Sequence, residues 1–360
     1  MIFGKQAELD LSVVIVTYNV AHLLGACLES VFAECSSIRA EVFVVDSGSS
    51  DGTPGVVRSQ FPDVRLRASS RNIGFSAGNN LAIPECRGRY ILLLNPDTIV
   101  HPGAFRNLIA YMDKHSAVGA VGPTLRLGDS QIQPECARNL PKLGNLLPWL
   151  LLLDKIEWML RFRQSTRATT LHPPGSTLMD GFCLLFWTRD QTCSVESICG
   201  ACMMLRREAV QQIGLLDEAS PLYLDDIDYC RRMRKAGWSI HYVTDATVTH
   251  FREQSSSQLR RAGDFYAMGC HAIWLYLRKH DGIATAMVFA AMACFASLIR
   301  LPICVFALAL PGARVRTFWR RQLHMALGLS RWAFRLPKAP PRFGFPCEDM
   351  ESAQTRSAHQ

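Results

Sequence analysis

Short apolar runs that end abruptly in polar residues recur along the first third of the chain. The run Leu11–Val16 is followed by Thr17-Tyr18-Asn19, and the run Val42–Val45 is followed by Asp46. Between these runs, apolar residues from Leu23 to Phe32 are spaced so that they form one face of a helix. Uninterrupted apolar runs are typical of strands that are covered on both faces. The pattern therefore predicts two buried strands joined by a helix, as in a nucleotide-binding βαβ unit.

The loop after the second predicted strand is Asp46-Ser47-Gly48-Ser49-Ser50-Asp51-Gly52-Thr53, which combines two carboxylates with glycines and hydroxyls. Such a loop brings backbone amides and acceptor oxygens close to a ligand. Asp46 lies at the strand end and is the better candidate for contact with a nucleotide base, whereas we expect Asp51 to cap the next helix. The alternative is a polar connection that binds no ligand.

A segment rich in glycine and asparagine follows the third predicted strand, Val64–Arg67. In Arg71-Asn72-Ile73-Gly74-Phe75-Ser76-Ala77-Gly78-Asn79-Asn80 the glycines allow the backbone to approach a phosphate or a sugar, and the last five residues open a helix that Pro84 limits. The segment has neither the Gly-x-Gly-x-x-Gly spacing of dinucleotide folds nor the Gly-Lys-Ser/Thr of P-loops. NAD-dependent and ATPase chemistry are therefore not indicated.

The apolar run Tyr90–Leu94 ends on a carboxylate in the sequence Asn95-Pro96-Asp97-Thr98. Pro96 lacks the N–H that a strand needs and stops it. Because ligands of open α/β sheets bind outside the carboxyl ends of the strands, Asp97 is predicted to hold a divalent cation against a diphosphate. The alternative is a strand-ending turn, in which Asn, Pro and Asp are common.

The second half of the chain contains a dense acidic cluster, Asp225-Asp226-Ile227-Asp228. Mutual repulsion raises the pKa of carboxyl groups this close together, which is what a general base needs. The alternative is a helix N-terminus, where the helix dipole favours acidic residues. Upstream, the small residues Gly200 and Ala201 leave room for a bulky ligand, and downstream a predicted strand ends at His250. A lone histidine is more often structural than a ligand, but this position favours a metal shared with Asp97.

Composition changes the picture mainly at the C-terminal end. The chain has 360 residues, of which 49% are hydrophobic and 19% charged, which is enough for one large globular domain with an appendage and excludes a disordered protein. The net charge is +8, and the basic excess lies late in the chain, directly after apolar sequence. This placement favours an anionic membrane surface as partner and argues against nucleic acid. Residues 1–10 show no secretory signal, so we expect the chain to stay in the cytosol.

The apolar stretch near the C-terminus predicts contact with a membrane. Ile283–Ile299 is free of charge, and Ile303–Leu310 is apolar again after Arg300 and Pro302. The first run reaches about 26 Å as a helix, a little short of a hydrocarbon core of about 30 Å. Basic residues flank both ends and prefer the cytosolic side. We predict a re-entrant or in-plane helical hairpin, bent near Arg300 and Pro302, on the cytoplasmic side of the plasma membrane. The alternative is a buried helical subdomain or a dimer interface.

Taken in order, these motifs resemble those of the family 2 glycosyltransferases, in particular the rhamnosyltransferase-like branch, over roughly Leu11 to His250. The resemblance implies an α/β fold of the GT-A type, with a Rossmann-like, mostly parallel sheet flanked by helices, in residues 1–262. About 11–115 would bind the nucleotide sugar, and about 116–262 would bind the acceptor and carry catalysis. Residues 263–345 would form a membrane-associated helical region, and 346–360 are expected to be disordered. The motifs are Thr17-Tyr18-Asn19, Asp46 to Gly52, Asn72 to Asn80, Asn95 to Thr98, Gly200-Ala201 and Asp225 to Asp228.

What the resemblance implies chemically is an inverting transfer of a sugar from a nucleoside diphosphate to an acceptor hydroxyl. Asp97 would ligate Mg²⁺ or Mn²⁺, His250 would complete the metal site, and Asp226 would take the proton of the acceptor. Asp225 and Asp228 would lie on the acceptor side. The donor would be held by Thr17, Tyr18, Asn19, Asp46, Ser47, Asn72, Gly78, Asn79, Asn95, Gly200 and Ala201. Asn95 stands where many relatives carry an acidic residue, and Phe251 begins a segment that lacks the glycines expected after the histidine.

The expected partners are a dTDP- or UDP-linked sugar, a membrane surface and a saccharide acceptor carried on a polyprenyl lipid. Rhamnose is the sugar expected from the branch, and envelope polysaccharide or cell-wall synthesis is the expected process. One alternative is a sugar nucleotidyltransferase, which would share the nucleotide-binding sheet and release pyrophosphate. Another is a catalytically idle GT-A module that serves as a membrane scaffold.

Overall fold

The structure is a computed structural model that describes residues 9–151, 190–219, 224–251, 259–309 and 313–334. In these ranges the strands are β1 (Leu9–Thr17), β2 (Ala40–Asp46), β3 (Arg65–Ala68), β4 (Gly88–Leu94), β5 (Thr98–Val100), β6 (Val118–Arg126), β7 (Ala137–Arg138), β8 (Cys193–Val195), β9 (Ser197–Ile198), β10 (Cys202–Arg206) and β11 (Ser239–His250). The helices are α1 (Ala21–Cys35), α2 (Thr53–Gln60), α3 (Gly74–Ala82), α4 (Ala104–Lys114), α5 (Leu143–Leu150), α6 (Arg207–Ile213), α7 (Asp225–Lys235), α8 (Leu259–Ala307) and α9 (Ala313–Phe334). The predicted tail 346–360 lies outside the described residues.

A central sheet with the strand order β3-β2-β1-β4-β10-β6-β11-β5 organises the part of the chain before the C-terminal helices, and β8 pairs with β11. The strands β3, β2, β1 and β4 are parallel, as the sequence predicts. In the second half β10 is antiparallel to β4 and β6, and β11 is parallel to β6 but antiparallel to β5 and β8. The sheet is therefore parallel in its first half and mixed in its second. An apolar run predicts that a strand is buried but does not encode its direction.

The continuous apolar runs are explained by burial on both faces of the sheet. Val13, Val14 and Ile15 in β1 are all 0% exposed, and so are Ile91 and Leu92 in β4. Successive side chains of a strand point to opposite faces. Both faces of these strands are therefore covered. Because β1, β2 and β4 are parallel, the polar residues that follow their carboxyl ends lie along one edge of the sheet.

The C-terminal helical region consists of α8 and α9, and α8 folds back on itself at Gly282. Gly282 has φ 88° and ψ 165°, which are not helical values, so it divides α8 into a first arm (259–281) and a second arm (283–307). Tyr266 in the first arm accepts a hydrogen bond of 2.7 Å from Arg300 in the second. Each residue lies about 25 Å from Gly282 along its arm at 1.5 Å per residue. They meet only if the two arms are nearly antiparallel, so α8 is a helical hairpin.

This hairpin corrects the position of the bend that the sequence predicts. The second arm continues as a helix through Arg300 and Pro302 to Ala307. Glycine readily adopts the positive φ that this turn needs. Proline has a φ that fits a helix, and its missing N–H costs the helix one hydrogen bond without ending it here. Arg300 is 1% exposed because it faces the first arm, where its guanidinium also lies 5.2 Å from the centre of the Tyr266 ring.

The hairpin packs on the helix that carries the acidic cluster. Leu224 and Ile227, at the start of α7, share a second hydrophobic core with side chains of both arms, among them Tyr276 and Phe289. Leu146 and neighbouring residues of α5 belong to the same core. The C-terminal region is thus joined to the part of the chain that contains the sheet through α7.

One side of the second arm remains uncovered and strongly apolar. Ile283 is 55% exposed, Phe295 57%, Leu298 63% and Phe306 78%. Within the described ranges, the stretch Tyr266–Ala307 is long and apolar enough to cross a membrane by length and composition only, and it includes the turn at Gly282. Large apolar patches on a surface mark contact with another molecule or a bilayer. The exposed side of the second arm therefore suggests membrane association.

Candidate active site

Asp97 and His250 lie side by side where β4 and β11 end. β5 follows Asp97 and pairs with the end of β11, so that Thr98 is opposite His250. The carbonyl oxygen of Asp97 also accepts a hydrogen bond of 2.9 Å from the backbone N–H of Phe251. These pairings bring Nε2 of His250 to 3.3 Å from Oδ1 of Asp97. The two residues that the sequence assigns to a metal are thus adjacent.

The orientation of His250 is fixed from its other side by Gln133. His250 is 8% exposed and Gln133 is 2% exposed. Oε1 of Gln133 is 2.8 Å from Nδ1 of His250, and because Oε1 is a carbonyl oxygen, Nδ1 must be the donor. In the neutral form of the ring the lone pair is then on Nε2, which lies 3.4 Å from the side-chain nitrogen of Asn95. A metal ion, or a hydrogen-bond donor such as the amide of Asn95, requires this tautomer, in which Nε2 is unprotonated.

The pair Asp97 and His250 fits a divalent cation that takes most of its ligands from a substrate. Among the residues that the structure describes, no group of three His, Cys, Asp or Glu side chains could hold a metal. A carboxylate oxygen and an imidazole nitrogen 3.3 Å apart can both turn toward one ion. Mg²⁺ in nucleotide sites is commonly held by one or two carboxylates together with phosphate oxygens. The donor set is therefore suited to a metal–diphosphate complex.

Asp226 sits at the N-terminus of α7 with both carboxylate oxygens engaged. Oδ2 accepts a hydrogen bond of 2.8 Å from the backbone N–H of Gly200 and is paired with the guanidinium of Arg138. Oδ1 accepts from the backbone N–H of Ile227 at 2.7 Å. Asp226 is 8% exposed and Arg138 is 2% exposed. The carboxylate is therefore held in one orientation next to Gly200.

Short backbone links join the surroundings of Asp226 to those of Asp97. The backbone N–H of Asn95 donates a hydrogen bond of 2.9 Å to the carbonyl oxygen of Ala201, and the neighbouring Gly200 contacts Asp226. A Cβ atom at Gly200 would lie only 3.3 Å from that of Asp226, so a larger residue would crowd the carboxylate. Both carboxylates therefore border the same end of β4 and β10.

Asp225 differs from Asp226 in its surroundings. Burial and the adjacent charge of Asp226 raise the pKa of Asp225 from 3.8 to about 7. The acidic cluster also forms the first turn of α7. The two interpretations of the cluster, a helix N-terminus and a group of close carboxylates, therefore both apply. The structure thus ties Asp226 to Gly200 at the candidate site, and Asp225 precedes it at the start of α7.

Asp228 points away from Asp225 and Asp226 toward the hairpin. Its oxygens accept hydrogen bonds from Lys279 at 2.7 Å, from Arg232 at 2.8 Å and from His280 at 2.6 Å. Burial opposes ionisation, but the bonds from His280 and Lys279 and the charge of Arg232 hold the pKa of Asp228 well below its usual range. Since basic side chains occupy this carboxylate, it ties α7 to the first arm rather than facing an acceptor as the sequence predicts.

The predicted nucleotide loop is held together by its own polar side chains. Asp46 is 1% exposed, and Oδ1 accepts from the hydroxyls of Thr17 at 3.1 Å and Ser49 at 2.5 Å. Asn19, with φ 52°, accepts from the backbone N–H of Ser50 at 2.8 Å. Asp46 therefore organises the loop in this structure, and it does not present a free oxygen to a base.

Ser47 and Asn72 connect this loop to the start of α3. The hydroxyl of Ser47 donates to Oδ1 of Asn72 at 3.0 Å and accepts from the backbone N–H of Ile73 at 2.7 Å. Tyr18 follows β1 and is partly exposed beside them. Asp51, outside this group, accepts from the N–H of Thr53 at 3.0 Å and so fixes the turn before α2, but the N-cap residue of α2 is Gly52 and not Asp51 as the sequence predicts.

Gly78 and Asn79 pack α3 onto the sheet rather than opening toward a ligand. A Cβ atom at Gly78 would lie 2.7 Å from a methyl carbon of Val16, so glycine is required by the close approach to β1. Asn79 is 0% exposed, and its side-chain nitrogen donates to the carbonyl of Phe75 at 3.0 Å. This corrects the prediction that both residues contact the donor.

Two residues at this site, Gln133 and Arg138, are absent from the sequence-based set. They lie five positions apart in a short segment, where Gln133 contacts His250 and Arg138 contacts Asp226. The segment has no apolar period and reads as a loop, and glutamine and arginine are ordinary surface residues. Only the tertiary contacts identify them.

Known proteins with similar sequences and folds point to one enzyme class. The N-acetylglucosaminyl-diphospho-decaprenol L-rhamnosyltransferase of Mycobacterium tuberculosis is 29% identical over 262 residues, which cover 69% of this chain and 78% of that protein. A mannosyltransferase of Pyrobaculum calidifontis, solved with GDP-Man and Mn²⁺, has a TM-score of 0.50 at 16% identity and covers 93% of this chain and 90% of its own. GalNAc-T7, solved with UDP, GalNAc and Mn²⁺, has a TM-score of 0.51 at 13% identity over 91% of this chain and 57% of its own. These structures show the GT-A fold.

The sequence model of the family described as glycosyltransferase like family 2 matches residues 8–262, which span the whole sheet and both carboxylates of the candidate site. The resemblance read from the motifs is thereby confirmed. The chain belongs to glycosyltransferase family 2 and is a glycosyltransferase of the rhamnosyltransferase-like type.

Proposed function

We propose that this glycosyltransferase is metal-dependent and inverting, and that it transfers rhamnose from a dTDP- or UDP-linked donor to a polyprenyl-linked saccharide. The observation that carries the proposal is the placement of Asp97, His250 and Asp226 around the same end of β4 and β10. A cation site and a proton acceptor beside one another are what a single displacement at a sugar carbon requires.

In the proposed reaction the acceptor oxygen forms a bond to the anomeric carbon of the sugar while the bond from that carbon to the diphosphate breaks. Asp97 and His250 would hold Mg²⁺ or Mn²⁺, which when bound offsets the charge that develops on the leaving diphosphate. Asp226 takes the proton of the acceptor hydroxyl. Oδ2 accepts two hydrogen bonds, from Arg138 and Gly200, and Oδ1 accepts one, from Ile227, so we assign the proton to Oδ1.

The remaining predicted donor residues would act through the shape of the nucleotide site. Thr17, Asp46 and Ser47 keep the two strand-end loops together, so that Tyr18 and Asn19 are presented at the edge of the sheet. Asn95 lies between β4 and His250. We therefore expect these residues to bind the donor by forming a rigid loop surface, with few direct contacts between charged groups and the nucleotide.

The lipid-linked acceptor is supported from two sides. The Mycobacterium tuberculosis relative is named for N-acetylglucosaminyl-diphospho-decaprenol. In this chain, the exposed apolar residues of the second arm are accompanied by exposed arginines in α9, Arg316 and Arg320. Apolar surface next to basic side chains suits the anionic cytoplasmic face of a bilayer. We therefore place the enzyme on that face, where it meets a lipid-linked acceptor.

The test is a transfer assay with full-length protein in membranes. dTDP-rhamnose, UDP-linked and GDP-linked sugars are supplied with N-acetylglucosaminyl-diphospho-polyprenol, and the anomeric configuration of the product is read by NMR. We expect transfer from one donor, inversion of the anomeric centre, and loss of activity with EDTA that Mn²⁺ or Mg²⁺ restores. Retention of configuration or full activity in EDTA would contradict the proposal. Pyrophosphate release from a nucleoside triphosphate would favour the nucleotidyltransferase alternative.

A further inference from the structure

An open cleft of about 710 Å³ lies between α5, the C-terminal end of α7 and the Gly282 turn. Its volume is in the range of ligand-binding clefts. No residue of the candidate active site lines it. The charged side chains that line it are the basic residues Lys142, Arg231, Arg234 and Lys235 and the acidic residues Glu196 and Asp281.

The charges of the cleft leave a positive excess. Two of the four basic residues are paired, Lys142 with Glu196 at 2.7 Å and Arg231 with Asp281 at 2.6 Å. Arg234 donates to a backbone carbonyl at 3.1 Å and acts electrostatically on Glu196, and Lys235, exposed at the end of α7, acts on Asp281. Four basic side chains thus share two carboxylates, and the excess of two positive charges suits a ligand with two negative charges close together, such as a diphosphate.

The cleft also has an apolar wall that continues onto the second arm. Leu140, Leu143 and Leu277 contribute to its lining, together with Thr285 at the start of the second arm. Val288, one turn beyond Thr285, is 48% exposed, and the apolar side described above continues from there to Phe306. A ligand with an anionic head and a long hydrocarbon tail would match both parts.

The cleft is close to Asp226 along two paths of the chain. Arg231 lies five residues after Asp226 in α7, about 7.5 Å along the helix axis. Leu140 lies two residues after Arg138, which contacts Asp226, and two extended residues span at most about 7 Å. The cleft is therefore built on the same two segments that carry Asp226 and its partner Arg138.

We propose that this cleft binds the diphosphate of the lipid-linked acceptor, with the polyprenyl chain lying along the exposed side of the second arm. The inference rests on the proposed function, since it names the site that holds the acceptor. It assigns Lys142, Arg234 and Lys235 to recognition of the acceptor and leaves donor binding to the strand-end loops.

The test compares two acceptors that carry the same sugar, one linked to polyprenyl diphosphate and one linked as an uncharged alkyl glycoside. The variant is the full-length double substitution Lys142→Gln and Lys235→Gln. We expect the KM for the diphosphate acceptor to rise about tenfold, as for the loss of two charge-assisted contacts. The KM for the alkyl glycoside, the KM for the donor and donor hydrolysis should not change. Lys114→Gln, at the exposed end of α4, is the matched control and should alter none of these values.

Three outcomes would count against the cleft. An unchanged KM for the diphosphate acceptor in the double variant would refute it while the proposed function stands. An equal rise for both acceptors would refute recognition of the diphosphate. If the variant loses affinity only for vesicles that contain phosphatidylglycerol, the cleft binds a phospholipid head group instead. By contrast, an unsubstituted enzyme that transfers to no lipid-linked acceptor would refute the proposed function itself.

Discussion

The carboxylate of Asp226 is the single group on which the proposed chemistry depends most directly. Asp226→Asn keeps the size of the side chain and removes the ability to accept a proton, so we expect kcat to fall by about 10²- to 10⁴-fold. Donor affinity should stay within a factor of two or so of the parent value, since Asp226 contacts Arg138 and Gly200 and not the nucleotide loops. The measurements are initial rates of transfer and calorimetric titration with the nucleoside diphosphate. An active variant would remove Asp226 from this role.

Asp225 allows a separate test, through stability. Because burial and the charge of Asp226 raise its pKa from 3.8 to about 7, the folded protein holds a proton there that the unfolded chain has already lost. The stability that this proton contributes is present below about pH 4 and is lost as the pH rises toward 7. Asp225→Asn removes the titration. The gain in Tm of the variant over the parent should therefore grow between pH 5 and pH 8, to on the order of a few degrees. A gain that is constant with pH would contradict the raised pKa.

Gln133 is expected to act on the metal through His250. Replacing it by leucine removes the acceptor that fixes the imidazole tautomer, and loss of such a partner typically costs about 10- to 100-fold in metal affinity. The affinity of the nucleoside diphosphate complex for Mn²⁺ can be measured by electron paramagnetic resonance. Gln131→Leu is the matched control, because no side-chain hydrogen bond of Gln131 is present among the described residues. If both variants bind Mn²⁺ as the parent does, Gln133 does not orient a metal ligand.

These residues differ in how well a sequence predicts them. Asp97 and His250 follow buried strands, and the position of a strand end is encoded locally by the change from apolar to polar residues. Their proximity follows from the sheet. Gln133 and Arg138 have no such local signal, since their importance comes from two side chains that are distant in sequence. The contact of Asp46 with a nucleotide stays a prediction, because a carboxylate in a polar loop is as well suited to binding the loop itself, as Asp46 does here, as to binding a ligand.

Among the elements, α7 carries the proposed catalytic carboxylate at one end and the contacts to the hairpin along its length. Asp228→Asn would remove the buried carboxylate that accepts hydrogen bonds from Lys279, Arg232 and His280, at a cost of about 1–3 kcal/mol. The pKa of Asp228 is lowered, so its contribution is present above the unfolded pKa near 3.8 and disappears as the pH falls below it. Thermal unfolding should show a drop in Tm at pH 7 that shrinks toward pH 3. Asp245→Asn, an exposed aspartate of β11, should show no such drop.

The elements themselves were predicted to different extents. The parallel strands of the first half are encoded by runs buried on both faces, as Val13 to Ile15 illustrate. The hairpin is encoded by its apolar composition, but its bend is not marked by the charge of Arg300 or by Pro302. It lies at Gly282, whose positive φ depends on the chain turning back. Charge and proline are weaker signals of a bend because a buried arginine can be satisfied by the opposite arm.

At the scale of the whole molecule, two hydrophobic cores meet at α7. One lies in the sheet and the other lies between α7, α5 and the hairpin. The nucleotide end of the sheet, the proposed base and the exposed side of the second arm are thus fixed relative to one another through a single helix. An enzyme built in this way can hold a soluble donor on one side of Asp226 and a lipid-borne acceptor on the other.

The exposed side of the second arm should determine binding to a bilayer. Phe295→Ser, Leu298→Ser and Phe306→Ser remove three side chains that are 57%, 63% and 78% exposed, so the Tm should change little. Each such side chain contributes up to about 1.5–3 kcal/mol when it is fully buried. Cosedimentation of the triple variant with vesicles that contain anionic lipid should therefore weaken by at least about tenfold. Leu81→Ser, in α3 of the catalytic part and 52% exposed, is the matched control and should sediment like the parent. If the triple variant sediments as well as the control, this surface does not bind the membrane, and the route proposed for the polyprenyl chain would be wrong with it.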